Sequence, residues 1–184
     1  PDYEEALTGV IDMENWMRTF ALIDLASFWD SFGNTNWKNT YLYKPAGGKW
    51  VQFTWDFDIG LGVDSRDPPT QALFPPSVDT NLKRMYETPA FIRHYWRAME
   101  ESLGAFFSGA AVSPILEAKR VAYADAGLNF TSPFAPSGAG RSIPQFIDQR
   151  SAFIRPQLNG VNETFSLASP VDGSSTAEQV VTLS

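Results

Sequence analysis

A short turn between two strand-like segments places the strongest restriction on how this chain can fold. Residues 39–45 and 49–60 are rich in aromatic and branched side chains, and the sequence Pro-Ala-Gly-Gly at residues 45–48 separates them. Glycine and proline in so short a connection are typical of a hairpin turn. We therefore predict that the two segments pair as an antiparallel β-hairpin.

The second predicted strand alternates strictly between apolar and polar side chains. Its odd positions from Val51 to Ile59 are apolar, and its even positions from Gln52 onward are polar. Side chains two residues apart lie on the same face of a strand, so Asp56 and Asp58 are predicted to project together, roughly 7 Å apart. Aspartate is uncommon in strands, which makes this pair a candidate for a functional role.

The length of the turn predicts a register that adds a third oxygen ligand. With Lys44 opposite Lys49, Asn39 lies opposite Thr54 and shares a face with the two aspartates. An amide oxygen and two carboxylates are ligands of the kind that Mg²⁺ or Mn²⁺ prefers. A second interpretation stays open, because half-exposed strands also alternate in this way and an Asp near Gly often only shapes a turn. By the same pattern, the hairpin's aromatic side chains, among them Trp55, are expected to pack against a helix.

The segment before the hairpin has the pattern of an amphipathic helix. Asp12 is placed to cap its first turn, and Trp16, Phe20 and Ile23 fall on one apolar stripe. A Ser-Phe-Gly-Asn sequence at residues 31–34 then ends the helical pattern. We predict one capped helix that buries this stripe.

Helical patterns also account for most of the chain after the hairpin. A proline-rich irregular loop is predicted over residues 63–78, followed by helices that begin at Thr88-Pro89 and at Ser113-Pro114. A last helix is expected to kink or end at Pro156. The fold class predicted is α+β, mainly helical with one small antiparallel hairpin, and the domains are residues 1–161 and a β-prone linker or start of a sandwich module at 162–184.

Composition excludes several classes of function. The formal net charge of −7 argues against a nucleic-acid partner, since phosphate binding needs a basic face. The sequence has no cysteine and a single histidine, His94, which excludes zinc–thiolate sites, histidine clusters and a cysteine nucleophile. No apolar run approaches the roughly 20 residues of a membrane span. Two aspartates on one strand are also too close to flank a glycosidic bond.

Three stretches together resemble the CotH family of spore-coat-protein-H-like atypical protein kinases. They are LTGVIDMENWMRTFALIDL, the aspartate at position 30, and WKNTYLYKPAGGKWVQFTWDFDIGLG. The resemblance covers residues 5–62 closely and extends loosely to about Leu158. It implies a protein-kinase-like C-terminal lobe that transfers a phosphoryl group from ATP, with Mg²⁺ or Mn²⁺, to protein hydroxyls.

The resemblance also implies roles for individual residues. Asp30 takes the catalytic position, although it could instead end the preceding helix. Asn39 and Asp56 correspond to metal ligands, and Asp58 to a second ligand or an orienting neighbour. Lys38 is a candidate phosphate contact, with a solvated strand residue as its alternative interpretation.

Features that the kinase pattern requires elsewhere are missing from this sequence. No glycine-rich phosphate loop and no strand lysine paired with a helix glutamate precede the first helix. We therefore expect a C-lobe fragment of a longer bacterial protein, secreted or at the cell surface. Its expected partners are a protein substrate, surface or coat proteins, and the rest of its own polypeptide. The alternative function is a non-catalytic, pseudokinase-like structural or adhesion module.

Overall fold

A computed structural model describes residues 2–34, 36–74 and 79–162, and its architecture confirms the predicted α+β class. Within these ranges the fold contains six α-helices, one two-stranded antiparallel sheet and a short 3₁₀ helix. The predicted linker or sandwich module at residues 163–184 lies outside the described residues. The elements are α1 Tyr3–Thr8, α2 Met13–Leu25, β1 Thr40–Tyr43, β2 Val51–Thr54, the 3₁₀ helix Phe57–Ile59, α3 Thr80–Glu87, α4 Pro89–Ala105, α5 Gly109–Asp125 and α6 Ile143–Asn162.

Helix α2 forms the centre of the core, as its apolar stripe predicts. The carboxylate of Asp12 accepts the backbone N–H of Asn15 at 3.0 Å, so the predicted N-cap is confirmed. Trp16, Phe20 and Ile23 are all buried. The helix packs mainly against α4 and also against β2. This places the loop that follows α2 beside the end of the hairpin.

The hairpin is confirmed, but its predicted register is wrong by one residue. Tyr43 pairs with Val51, so Lys44 faces Trp50 instead of Lys49. The outer edge of the second strand bonds to the start of α2. The Trp50 carbonyl accepts the N–H of Asp12 at 2.9 Å, and the side-chain oxygen of Asn15 accepts the next outward N–H, that of Gln52, at 2.7 Å. These contacts fix the position of β2 against the start of α2, and the connection between the paired strands is one residue longer than the predicted turn.

The sheet presents its aromatic face to the outside, which also contradicts the sequence pattern. Gln52, from the polar set, is buried, whereas Phe53 is 52% and Trp55 46% exposed. Trp55 stacks on Tyr41 with ring centroids 5.5 Å apart. The reason is again the docking of β2 through Gln52, which turns the polar face of the hairpin toward the helix and leaves the aromatic face outward.

Of the helix starts predicted after the loop, the first is confirmed and the second needs correction. Helix α4 begins at Pro89 as predicted, with Thr88 at the N-cap position but without a side-chain capping bond. Helix α5 begins four residues before Ser113, because Ser108 caps it and Asp148 accepts the N–H of Gly109 at 2.7 Å.

The last helix does not end at Pro156, because helix α6 continues through it to Asn162, and the alternative of a kink at Pro156 stays a prediction. Both Pro156 and Ala152, whose carbonyl loses its helical donor, lie on the exposed side of the helix. Water can therefore satisfy that carbonyl, so the proline need not end the helix. Within the described ranges, no helix combines the length and apolar character needed to cross a lipid bilayer.

A buried arginine joins the last helix to the region around the end of α2. Arg150 is fully buried, and its Nε and Nη2 donate to the Asp24 carbonyl at 3.1 and 2.6 Å. Its Nη1 donates to the carbonyls of Pro69, at 3.1 Å, and Gln71. The Tyr95 hydroxyl donates to the Asp24 carboxyl at 2.7 Å. These bonds hold the proline-rich loop against the end of α2, the helix that leads into the loop carrying Asp30.

Candidate active site

Asp30 lies at the centre of a polar network in the loop between α2 and β1. The residue is only 9% exposed. One carboxylate oxygen accepts the side-chain amide of Asn36, and the other lies 2.9 Å from the ammonium of Lys38. The amide of Asn39 donates to the Asp30 carbonyl at 2.7 Å and to its carboxylate at 3.3 Å. The nine-residue gap between Asp30 and Asn39 is therefore closed by a loop that folds back on itself.

This network decides the protonation state of Asp30. Burial by itself opposes ionisation, but hydrogen bonds from Lys38 and Asn36 outweigh burial and hold the pKa of Asp30 below its ordinary value. The charge of Lys38 and the amide of Asn39 act in the same direction. Asp30 is therefore a carboxylate at neutral pH, suited to accept a hydrogen bond from a hydroxyl group.

Asn39 connects Asp30 to the end of the hairpin. Its carbonyl accepts the N–H of Trp55 at 3.2 Å and the hydroxyl of Thr54 at 3.1 Å, while its side-chain NH₂ is used by Asp30. The backbone of Asn39 is left-handed, with φ of 57°, a conformation that asparagine tolerates better than most residues. Among the described residues, nothing donates to its side-chain oxygen, which leaves that atom available to a ligand.

The two aspartates of the hairpin do not lie on a shared strand face, so that prediction is wrong. Strand β2 ends at Thr54, and Asp56 has a left-handed backbone with φ of 62° and ψ of 48°. Asp58 lies in the 3₁₀ helix that follows. The alternation breaks because β1 begins only at Thr40, so no residue of β1 pairs with the chain beyond Thr54. Asp56 and Asp58 are both exposed, and their roles as metal ligands stay predictions.

The side-chain oxygens at the end of the hairpin are of the type that a divalent cation binds. Asn39 and Asp56 both carry side-chain oxygens that can coordinate a metal ion. The hydrogen bond from the Trp55 N–H to the Asn39 carbonyl brings the backbone next to Asp56 close to that of Asn39. No described residue makes a hydrogen bond or ion pair with the carboxylate of Asp56 or Asp58. In the same described ranges, no three acidic, histidine or cysteine side chains cluster closely enough to hold a metal. A cation here would need oxygens from a phosphate or water as well, as is usual for Mg²⁺.

Asn36 belongs to the site but was not predicted from the sequence. Its amide donates to Asp30, so it contributes to the charge state of that carboxylate as directly as Lys38 does. It lies in a Gly-Asn-Thr-Asn sequence whose composition is that of an ordinary turn. The available signal was its position between Asp30 and Asn39, both already candidates, in a loop that has to fold back.

Comparison with known protein families agrees with the sequence motifs. The family described as CotH kinase protein matches residues 1–126, a range that includes Asp30, Asn39, Asp56 and Asp58. A search of curated proteins finds no match. The family indicates a kinase-like transferase domain and, in general terms, the use of a nucleotide and a metal ion. The match covers more than two thirds of the sequence and confirms the predicted resemblance: the chain belongs to the CotH kinase family.

Proposed function

We propose that this domain supplies the acceptor-orienting and metal-binding side of a Mg²⁺- and ATP-dependent phosphoryl transfer to protein hydroxyls. One observation carries the proposal. Asp30 is held as a carboxylate by a network that continues, through Asn39, to the segment bearing Asp56 and Asp58. The family assignment supports a kinase-like transferase, and the residue roles are our proposal.

Asp30 is suited to orient an acceptor hydroxyl. A carboxylate has about four lone-pair positions, and Asn36, Lys38 and Asn39 use part of this capacity. Its lowered pKa makes it a weak base but a constant hydrogen-bond acceptor. A loose phosphoryl-transfer transition state requires positioning of the hydroxyl more than early removal of its proton.

Lys38 can serve both Asp30 and a phosphate. Its ammonium lies 2.9 Å from the Asp30 carboxylate, yet its side chain is 59% exposed. An ammonium has three donors, so it can keep its bond to Asp30 while another proton is directed at an anionic oxygen. We propose that Lys38 approaches the transferred phosphoryl group from the side of the acceptor.

Asn39 and Asp56 are the residues that we propose hold the metal ion, with Asp58 as a second ligand or an orienting neighbour. When bound, a Mg²⁺ or Mn²⁺ ion neutralises the charge of the ATP phosphates. The contribution of the chain is to fix Asn39 by its two bonds to Asp30, which use its NH₂ and leave its side-chain oxygen for a cation. The exposed carboxylate of Asp56 adds charge without any competing cation among the described residues.

The remaining surface for ATP is proposed to come from elsewhere in a longer polypeptide. We further propose that the acceptor belongs to a secreted or cell-surface protein of a bacterium, with Ser or Thr hydroxyls as the reacting groups. The sequence at residues 162–184, which resembles a linker or the start of a sandwich module, supports this proposal by composition alone.

Phosphate transfer by the full-length gene product is the direct test. With labelled ATP and Mg²⁺, we expect transfer that chelation abolishes and that Asp30→Asn and Asp56→Asn each reduce by about 100-fold or more. Asp125→Asn removes an exposed aspartate at the end of α5 and should leave transfer unchanged. Transfer that persists in both site variants would contradict the proposal. ATP binding without any transfer would instead identify a non-catalytic module.

A further inference from the structure

The side chain of Trp29, the residue before Asp30, has a cation on one face of its ring. The guanidinium of Arg66 lies over the indole of Trp29, with its carbon 4.0 Å from the ring centroid. Asp64 fixes the guanidinium through two parallel bonds, from Nε at 3.0 Å and from Nη2 at 2.8 Å. Asp64 also accepts the backbone N–H of Arg66 at 2.8 Å. The cation therefore has one strongly preferred position.

Asp67 approaches the same tryptophan from the interior. It is completely buried, and the backbone N–H of Trp29 lies close enough to favour its ionised form, although not with ordinary hydrogen-bond geometry. Burial, followed by the negative charge of Asp64, raises the pKa of Asp67 to about 7, and Asp30 contributes in the same direction. The carboxylate of Asp67 makes no hydrogen bond to a described residue, so it interacts with Trp29 and Asp30 through charge alone. We call Trp29, Asp64 and Arg66 the Trp29 clamp.

The clamp lies where the two halves of the candidate site meet. The N–H of Leu61 donates to the Ala26 carbonyl at 2.8 Å, and the hydroxyl of Ser27 donates to the Pro68 carbonyl at 3.2 Å. Residues 61–68, which follow the metal-ligand candidates Asp56 and Asp58, therefore run beside residues 26–30. These two hydrogen bonds join the two segments.

We propose that the Trp29 clamp is a positioning device, in which Asp64 and Arg66 fix the indole of Trp29 and thereby the carboxylate of Asp30, the next residue in the chain. The consequence of this positioning for catalysis rests on the function proposed above, whereas the positioning itself does not. Arg66 would act through Trp29, without contact with substrate. The clamp would also make the geometry of Asp30 depend on the segment that carries the metal ligands.

A role in folding alone explains the clamp poorly. Arg66 is 63% exposed, and exposed ion pairs contribute little to stability. A fixed fork over an aromatic ring does, however, restrict the orientation of that ring. The effect of removing the cation should therefore appear in the arrangement around Asp30 and not in the stability of the fold.

The side-chain amides of Asn36 and Asn39 report this arrangement, because both donate to Asp30. In the 184-residue chain, we expect Arg66→Gln to shift or broaden both amide signals in NMR spectra. Arg66→Lys keeps a cation over the ring and should give smaller changes. Arg120→Gln is the matched control, since it breaks a paired arginine and glutamate on α5. Unchanged amide signals in Arg66→Gln, or equal changes in both Arg66 variants, would overturn the proposal.

Turnover of the full-length gene product tests the catalytic consequence separately. We expect Arg66→Gln to lower kcat by about 10- to 100-fold, with the KM for ATP changed by less than about twofold, as for a misplaced catalytic group. A wild-type kcat in this variant would contradict the role of the clamp in catalysis. If the wild-type protein transfers no phosphate, the proposed function fails, and the amide signals still decide whether the clamp positions Asp30.

Discussion

Asp24 and Asp30 lie six residues apart, one near the end of α2 and the other in the loop that follows, yet their environments are opposite. Asp24 is sealed in the core with Tyr95, and burial raises its pKa to about 7. Asp30 is surrounded by polar donors that hold its pKa below the ordinary value. Both residues are largely buried, so burial alone does not decide the charge of an aspartate. Both sites contain groups that favour the ionised form, and burial outweighs these groups at Asp24 but not at Asp30.

This difference separates a structural carboxylate from one suited to chemistry. Asp24 contributes a carbonyl to Arg150 and a carboxyl to Tyr95, and both contacts join core elements. Asp30 keeps its charge next to a lysine that faces solvent. From this contrast we predict effects on stability, pH dependence and metal binding, of which the stability effects range from several kcal/mol to almost none.

The largest effect is expected for Arg150→Met, which removes the partner that stabilises the Asp24 region. The carbonyls of Asp24, Pro69 and Gln71 would lose their donor in the core, at a cost of about 3–5 kcal/mol in unfolding free energy. Chemical denaturation measures the loss. Arg155→Met is the control, because it removes one bond to the Leu103 carbonyl and should cost about 1 kcal/mol. Equal losses in the two variants would show that Arg150 is not central to the core.

A smaller effect, with a clear pH dependence, is expected for Asp24→Asn. A raised pKa in the folded state stabilises the fold at low pH, and this contribution is lost as the pH rises from about 4 to about 7. The variant lacks this loss, so relative to wild type it should gain about 1–3 kcal/mol between pH 4 and pH 8. Denaturation at both pH values measures the difference. If the variant were more stable than wild type by the same amount at pH 4 as at pH 8, the raised pKa assigned to Asp24 would be contradicted.

Asp30→Asn should have the opposite pH dependence and a smaller effect on the unfolding free energy. A lowered pKa stabilises the fold above the unfolded pKa, and the contribution is lost as the pH falls through the folded value. The variant should therefore lose less than about 1 kcal/mol at pH 7, because Lys38 is largely exposed, and nothing at low pH. If both aspartate variants changed stability in the same direction with pH, the contrast between the two sites would be wrong.

The smallest effect on stability is expected at the exposed carboxylates. Asp56→Asn and Asp58→Asn should each change the unfolding free energy by less than about 0.5 kcal/mol, since neither carboxylate contacts a described residue through a hydrogen bond or ion pair. Thermal denaturation of the two variants beside Asp30→Asn checks this. A large loss in either would indicate a structural role for that carboxylate.

Local signals explain which parts of the fold could be predicted from the sequence. The cap at Asp12, the stripe of Trp16, Phe20 and Ile23, and the turn of the hairpin all depend on residues close in sequence. The sequence motifs were also sufficient to recognise the family, which the comparison confirmed. Periodicity and turn chemistry encode such features, so the order of residues is enough to recognise them.

Long-range contacts explain the rest. The position of β2 depends on such contacts, since the side chain of Asn15 and the backbone around Ile11 dock on its outer edge. The alternation beyond Thr54 failed because the left-handed backbone of Asp56 has no sequence signal apart from the tolerance of aspartate for it. Contacts such as that of Arg150 with Asp24, 126 residues apart, follow from packing and not from a local pattern.

The position of the metal ion tests the proposed site most directly. Paramagnetic Mn²⁺, titrated into the isotopically labelled 184-residue chain, broadens the NMR signals of residues near the bound ion. We predict that the backbone signals of Asn39, Asp56 and Asp58 broaden first and that Asp56→Asn abolishes this selectivity. Broadening that is uniform, or that centres on Asp64 and is unchanged in Asp56→Asn, would contradict the proposed metal site.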